Sequence, residues 1–118
     1  MKRNVSGCPV EGAMNVIGGR WRAVLVYYLL DGPRRFSELR RCVPRISQRM
    51  LTQDLRELER AGLVSRTVYP EVPVRVEYAL TPDGQELRPV IDAVCAWGKT
   101  RTATASGSRR RASHDAAA

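Results

Sequence analysis

The feature that most restricts the fold is a change of hydrophobic period just after Gly62. Before it, Ser47 is a good helix N-cap and Gly62 itself suits a helix end. Between them, three leucines repeat at the spacing of one helix face: Leu51, Leu55 and Leu58. After Gly62 come two runs rich in β-branched and aromatic residues, Val64–Tyr69 and Val74–Leu80, separated by Pro70–Pro73, and the second run also alternates in its side chains. Because this composition and this alternation are typical of strands, we predict a long helix followed directly by a β-hairpin.

Three further helices are predicted before the long one. Pro9–Ile17 and Trp21–Leu30 are apolar segments bounded by glycines, and the second is apolar nearly all round, as in a core helix. Ser37 is a candidate N-cap for a short third helix, which Pro44 ends. A short helix, a turn, a longer helix and a hairpin form the layout of a winged helix-turn-helix. The predicted fold class is therefore mainly α with a small β-hairpin wing.

The positive charge of the chain is localised. The chain holds 20 Lys and Arg against 12 Asp and Glu, a formal net charge of +8. Residues 34–60 hold eight Arg and four acidic residues, and residues 99–118 carry a further net +4. A basic patch of this kind is expected where a polyanion binds. A solvated basic face is the alternative interpretation.

The long helix has a polar face opposite its leucines. Its side chains are types that read base edges, since Arg pairs with guanine, Gln with adenine, and Thr contacts the thymine methyl. Recognition helices contact bases mainly through their N-terminal residues, so Gln48, Arg49, Thr52 and Gln53 are predicted to read bases. Arg56 is expected to contact phosphate or to pair with surface acids. Each residue alone is equally explained as an exposed helix position, but the basic segment and the hairpin favour DNA.

Two serines and two arginines complete the predicted interface. Ser37 and the amides at the start of its helix are suited to bind a phosphate, and Ser47 caps the recognition helix. Arg66 and Arg75 flank the wing tip, where each is expected to reach a phosphate or the minor groove. A hairpin with two arginines is also ordinary in a domain that binds no DNA.

Seven motifs occur along the chain in this order: Cys8-Pro-Val-Glu, Ile17-Gly-Gly-Arg-Trp21, Arg35-Phe-Ser-Glu-Leu39, Ile46-Ser-Gln-Arg-Met-Leu-Thr-Gln53, Val68-Tyr-Pro-Glu-Val-Pro73, Val76-Glu-Tyr78 and Leu80-Thr81. Together they resemble the HxlR-type winged-helix regulators, which are relatives of the MarR group. The resemblance runs from about Cys8 to Trp97. It implies a homodimer built from the N- and C-terminal helices, which binds a pseudo-palindromic operator on double-stranded DNA and controls a nearby gene.

We expect one domain for DNA binding and dimerisation over residues 1–98, and a disordered basic tail over residues 99–118, where no apolar period continues. Within the last helix, which begins at Thr81, Pro89 should cause a kink or a division.

Two groups of apolar residues have more surface than one small domain can cover, and we expect them to form a two-fold interface. They are Val10, Met14 and Ile17, and Val90, Ile91, Val94 and Trp97.

Other classes of function lack support in the residues. The single histidine, His114, lies in the tail, and no Ser/His or clustered-carboxylate arrangement points to an enzyme. A protein-interaction module without DNA is a further alternative, against which the basic segment argues. The three cysteines fit neither a disulfide framework nor zinc spacing, so we expect no metal and no cofactor. Without a signal-peptide pattern or a membrane-spanning run, a cytoplasmic protein is expected.

Cys8 carries a regulatory hypothesis. It lies just before the helix that Pro9 begins, where the helix dipole lowers the pKa of a thiol. The resemblance adds that some HxlR-type regulators respond to thiol-reactive compounds through a cysteine at this point. The alternative is that Cys8 packs as a small hydrophobic residue, as free cysteines usually do.

Overall fold

The computed structural model describes the backbone of residues 7–110 and the side chains of residues 7–101. The described part contains, in order, α1 (Pro9–Ile17), α2 (Arg22–Leu29), β1 (Arg34–Arg35), α3 (Phe36–Cys42), α4 (Gln48–Arg60), β2 (Val64–Tyr69), β3 (Arg75–Leu80), α5 (Pro82–Gln85) and α6 (Arg88–Arg110). The chain divides into two compact units, Met1–Leu87 and Arg88–Ala118. The first unit has the predicted winged helix-turn-helix architecture.

The sheet of the first unit is antiparallel, with strand order β1-β3-β2. The predicted hairpin is present, and its register runs from Val64 opposite Leu80 to Tyr69 opposite Arg75. The sequence did not indicate β1, because a strand of two residues is too short to show alternation. It pairs with β3 through Arg34 opposite Tyr78, and so makes the wing a three-stranded sheet.

The core of the first unit lies between α2 and α4. Its fully buried side chains include the predicted leucine stripe of α4 and the apolar side of α2: Leu25, Val26, Leu29, Leu51, Leu55 and Leu58. Leu39 of α3 and Ile46 of the following turn are buried as well. Since one face of α4 is buried along its length, the opposite polar face is directed to solvent.

The ends of α4 are those that its sequence predicts. The Ser47 hydroxyl accepts a hydrogen bond from the backbone N–H of Met50 at 3.0 Å. After the helix, Gly62 adopts a left-handed backbone with φ of 78°. Such a conformation is open to glycine at little cost, so the chain can leave the helix and enter β2 within a few residues.

The start of α3 corrects the prediction made for Ser37. The helix begins at Phe36, and the N-cap is Arg35, so Ser37 lies inside the first turn and does not cap it. The backbone N–H of Arg35 donates to Glu38 Oε1 at 2.7 Å. The donor in this bond is a backbone N–H group, so Glu38 can cap the start of the helix although the N-cap residue has no hydroxyl group.

The C-terminal helices differ from the prediction in extent. The predicted division near Pro89 is confirmed, because α5 ends at Gln85 and α6 begins at Arg88. However, α6 continues through Gly98 to Arg110, so residues 99–110 are helical where we expected a disordered tail. A glycine inside a helix costs only about 1 kcal/mol, and propagation of a formed helix is favourable. Residues 111–118 of the expected tail lie outside the described residues.

One carboxylate is buried on the inner side of α4. The Asp54 side chain is only 6% exposed, and its Oδ1 lies 3.4 Å from Arg22 Nε of α2. Burial raises the pKa of the Asp54 carboxyl, and the hydrogen bond and charge of Arg22 oppose this only in part. Asp54 therefore makes a polar, directional contact with Arg22 from a helix face that is otherwise apolar.

We expect Asp54 to give folding stability a pH dependence of defined sign. Because folding raises its pKa above the ordinary value of 3.8, the native state binds this proton more tightly than the unfolded chain does. The contribution of Asp54 to stability is therefore most favourable below pH 3.8 and becomes less favourable as pH rises through the raised pKa. Thermal melts from roughly pH 3 to 7 should show the wild type losing melting temperature relative to Asp54→Asn.

The control for this measurement is Asp83→Asn, which removes an exposed carboxylate. The pH dependence assigned to Asp54 is the part of the wild-type change in melting temperature that Asp54→Asn removes and this control does not. A wild type that gains melting temperature relative to Asp54→Asn as pH rises would contradict the prediction.

Candidate nucleic-acid interface

The polar face of α4 gathers the residues predicted to read bases. Gln48, Arg49 and Gln53 are exposed, and Thr52 is half-buried beside them. With the next turns of the helix they line an open depression of about 720 Å³ whose lining residues are Gln48, Arg49, Thr52, Gln53, Arg56, Glu57 and Arg60. The structure thus places all four predicted base-reading residues on one accessible surface.

The hydroxyl groups at the start of α4 are partly engaged within the helix. The Ser47 oxygen accepts from Met50, so its first role is to cap the helix. Thr52 donates its hydroxyl proton to the carbonyl oxygen of Gln48 at 2.9 Å. A ligand can therefore use the methyl group and the free lone pair of Thr52, while its donor is occupied.

The positive charge of this face belongs mainly to two arginines. Arg60 Nη1 pairs with Glu57 Oε2 one turn away, which compensates its charge. Among the described side chains, Arg49 and Arg56 form no ion pair, and both are exposed. Their guanidinium groups are free to bind an anionic or hydrogen-bond-accepting ligand, such as a phosphate or a guanine edge.

Two exposed residues next to this face were missed in the sequence. Arg45 lies in the turn before α4, and Met50 lies in its first turn. The signal for Arg45 was its place in the basic segment. No signal distinguished Met50, because a methionine in an apolar pattern is typical of a core residue, yet its side chain is 38% exposed.

The two arginines of the wing differ in their surroundings. The pleat places them on opposite faces of the sheet, since Arg66 is opposite Tyr78 and Arg75 is opposite Tyr69. Arg75 binds Glu71 at 2.8 Å and Glu77 at 2.5 Å, and it stacks 3.8 Å from the centroid of the Tyr69 ring.

These contacts decide what each wing arginine can offer a ligand. Hydrogen bonds to Glu71 and Glu77 raise the pKa of Arg75, and the same contact lowers the pKa of Glu71. A phosphate would have to displace a carboxylate to reach Arg75. Arg66 is exposed and has no ion pair within the described residues, so it is the wing arginine with an available charge.

Ser37 and Cys8 lie on other elements. Ser37 is exposed in the first turn of α3, so it belongs to a different helix from the polar face of α4. Cys8 is exposed in extended backbone at the N-cap of α1. Hydrogen bonds from the backbone amides of Glu11 and Val10 lower the pKa of its thiol. The other two cysteines, Cys42 and Cys95, are half-buried.

The described residues form neither a metal-binding cluster nor a membrane-spanning helix. Within residues 7–101, no group of His, Cys, Asp and Glu side chains is arranged to hold a metal ion. Of the helices described between residues 7 and 110, none combines the length and the apolar character needed to cross a membrane.

Fold and site together define a winged helix-turn-helix protein with an exposed, arginine-bearing recognition helix. Residues 16–106 match the family model described as HxlR-like helix-turn-helix. An HTH-type transcriptional regulator of Methanothermobacter thermautotrophicus is 56% identical over 92 residues, which cover 78% of this chain and 70% of that protein. The chain belongs to the HxlR-like helix-turn-helix family, and it is a transcriptional regulator. The resemblance inferred from its motifs is thereby confirmed.

Solved structures with the same fold include two of the redox regulator HypR. The oxidised form is 50% identical, with a TM-score of 0.76, and the match covers 79% of this chain and 96% of that one. The reduced form is 46% identical, with a TM-score of 0.79, and the match covers 85% and 99% of the two chains. These likenesses confirm the predicted fold class.

Proposed function

We propose that this regulator binds a pseudo-palindromic DNA operator as a homodimer, and that chemical modification of Cys8 changes its affinity for the operator. The observation that carries the proposal is the solvent-directed face of α4, where Arg49 and Arg56 are exposed without ion pairs among the described residues. A helix-turn-helix uses such a face to enter the major groove.

Base reading is assigned to the first two turns of α4. Arg49 is suited to a bidentate contact with the O6 and N7 atoms of guanine, and Gln48 and Gln53 are suited to adenine. Arg56 lies beyond the N-terminal residues that contact bases in a recognition helix, and we assign it a phosphate contact. Arg66 is the wing residue to which we assign a phosphate contact, because Arg75 is already bound by two carboxylates.

Dimerisation is supported by two exposed apolar faces, each at helical spacing. On α1, Val10 is 65% and Met14 is 50% exposed. On α6, the exposed large apolar side chains among the described residues are Val90, Val94 and Trp97, of which Trp97 is 64% exposed. Faces of this kind mark interaction surfaces, and a two-fold axis buries the same face of both copies.

The expected interface is smaller than the sequence suggested. Ile17 and Ile91 are buried within the chain, with 7% and 4% exposure, so neither is available to a second copy. The helical spacing that grouped them with their exposed neighbours does not distinguish a buried position on a helix from an exposed one. The proposed two-fold contact therefore uses the exposed residues only.

Redox sensitivity is supported by the accessibility and chemistry of Cys8. The thiolate is the reactive form of cysteine, and the amides of α1 favour it by lowering the pKa of Cys8. HypR, which shares the fold at 50% identity, is a redox regulator. We therefore propose that oxidation or alkylation of Cys8 displaces α1 and changes the spacing of the two recognition helices.

We expect Arg49→Ala to flatten base preference at one position of each half-site. A bidentate Arg–guanine contact is worth about 1–3 kcal/mol of discrimination, and alanine removes it. The measurement is quantitative binding to a duplex selected by the wild type from a randomised pool, and to its single-base variants. Arg66→Ala is the comparison, expected to weaken all duplexes alike and to reduce the salt slope by about 1.8, because the dimer loses two phosphate contacts. If Arg49→Ala changes neither affinity nor preference, α4 is not the reading helix.

We expect light scattering at micromolar concentration to give twice the mass of one chain. Val94→Glu should yield a monomer, because it places a charge in the proposed apolar interface. Val72→Glu is the matched control, since Val72 is fully exposed at the wing tip and belongs to neither apolar face. A wild type that is monomeric at this concentration would rule out the dimer.

We expect diamide or a quinone to change operator binding of the wild type and to leave Cys8→Ser unaffected. Cys42→Ser and Cys95→Ser are controls that remove the half-buried thiols and should respond as the wild type does. Because the pKa of Cys8 is lowered, its alkylation by iodoacetamide should show a midpoint below pH 9.0. An identical response of wild type and Cys8→Ser would show that another group is the switch.

A further inference from the structure

A single side chain joins three helices of the first unit. Arg22 is the first residue of α2, and its side chain is 23% exposed. Its Nη1 donates to the carbonyl oxygens of Asn15 and Val16, at 3.4 Å and 3.2 Å, in the last turn of α1. Its Nε donates to Oδ1 of Asp54, at 3.4 Å, on α4. Arg22 therefore connects the end of α1 to the middle of the recognition helix.

The turn between α1 and α2 is built so that Arg22 can reach back to α1. Gly18 ends α1, and a Cβ atom at that position would lie 2.2 Å from the carbonyl oxygen of Met14. Gly19 follows with a left-handed φ of 86°. The extended Gly18 and the left-handed Gly19 end the helical path of α1, and Arg22, four residues after Gly18, reaches the last carbonyls of α1.

A cationic donor is well suited to both groups of acceptors, the last carbonyl oxygens of α1 and the carboxylate of Asp54. The last carbonyls of a helix have no partner inside it, and no basic residue lies in the last turn of α1 itself. Asp54 lies among the buried leucines of α4, where an apolar residue would pack without a desolvation cost. Because an aspartate at this position adds a desolvation cost and no apolar burial, we infer that its directional contact with Arg22 serves to orient α4.

Apolar contacts alone determine the rotation of α4 about its own axis only approximately. Burial of the leucine stripe selects which side faces inward, but hydrophobic contact is non-directional and tolerates small rotations and shifts. A charge-assisted hydrogen bond has a defined length and direction. Asp54 directly follows Gln53 and is five residues beyond Arg49, so a rotation of α4 that breaks this contact also moves the base-reading side chains.

We propose that Arg22 is a positioning residue that sets the rotation of α4 relative to α1, and thereby the sequence discrimination of the DNA-reading face. The inference rests on the proposed function, because it assigns to Arg22 the alignment of that same surface. It also gives α1, which carries Cys8, a direct connection to the recognition helix.

The test compares discrimination with stability in the full chain. Arg22→Met keeps an unbranched apolar stem and removes the three hydrogen bonds of the guanidinium group. Arg20→Met is the matched control, because it removes one exposed positive charge two residues away that makes none of these contacts. The measured quantity is the ratio of affinities for the duplex selected by the wild type and for a scrambled duplex of equal length, at fixed salt.

We expect Arg22→Met to lower this ratio roughly tenfold, the size of one lost base contact, with affinity for the scrambled duplex no lower than in Arg20→Met. A ratio equal to that of the control, in a variant that is folded by circular dichroism, would overturn the proposal. If the wild type itself binds no duplex, the proposed function fails, which is a different outcome from an unchanged ratio.

A double variant separates positioning from stability. Arg22→Met leaves Asp54 buried without its cation, and Arg22→Met/Asp54→Leu removes that stranded charge. We expect the double variant to recover melting temperature but not the affinity ratio, since no directional contact is restored. Arg22→Lys keeps the charge and one donor group, and should recover part of the ratio. Recovery of the ratio together with melting temperature in the double variant would show that Arg22 acts on stability alone.

Discussion

The burial of three leucines of α4 in the core of the first unit is the interaction on which the rest of the structure depends. Leu51, Leu55 and Leu58 are each almost fully removed from water. Burial of one leucine side chain contributes about 1.5–3 kcal/mol, so this stripe is a large share of the stability of a domain this small. By turning one face of the helix inward it directs Arg49 and Gln53 outward, and the polar surface is a consequence of the core.

Strong local patterns were sufficient to predict most of the first unit. The leucine period, the Ser47 cap and Gly62 define α4 within a few residues, and the alternation after Gly62 defines the hairpin. Weak or non-local features were not predictable. β1 is two residues long, and the cap of α3 uses the backbone of Arg35, for which no residue type is required. Helix α6 continues past Gly98, where the cost of one glycine is smaller than the gain from the helical residues beyond it.

The identity of the candidate site was predictable, but its charge distribution was not. Spacing along α4 placed Gln48, Arg49, Thr52 and Gln53 on one face, because helical geometry is local. Which arginines keep an available charge depends on partners that spacing does not indicate. Arg75 is bound by two carboxylates, those of Glu71 in the loop between β2 and β3 and of Glu77 on β3. A hairpin with two arginines thus offers a ligand one exposed cation without an ion pair among the described side chains, Arg66.

The same reasoning explains how a small event at α1 can matter for DNA binding. A tenfold change in affinity corresponds to about 1.4 kcal/mol, comparable to one charge-assisted hydrogen bond. The carbonyls of Asn15 and Val16 share their donor with Asp54 of α4, so a shift of α1 of a few tenths of an ångström changes bonds that are already 3.2–3.4 Å long. Rearrangement of the apolar core is not needed for that shift, because the leucine stripe of α4 does not depend on the direction of the Arg22 side chain. A recognition helix held by a strong non-directional contact and a weak directional one can therefore be re-aimed without being unfolded, which is the property a regulated DNA reader requires.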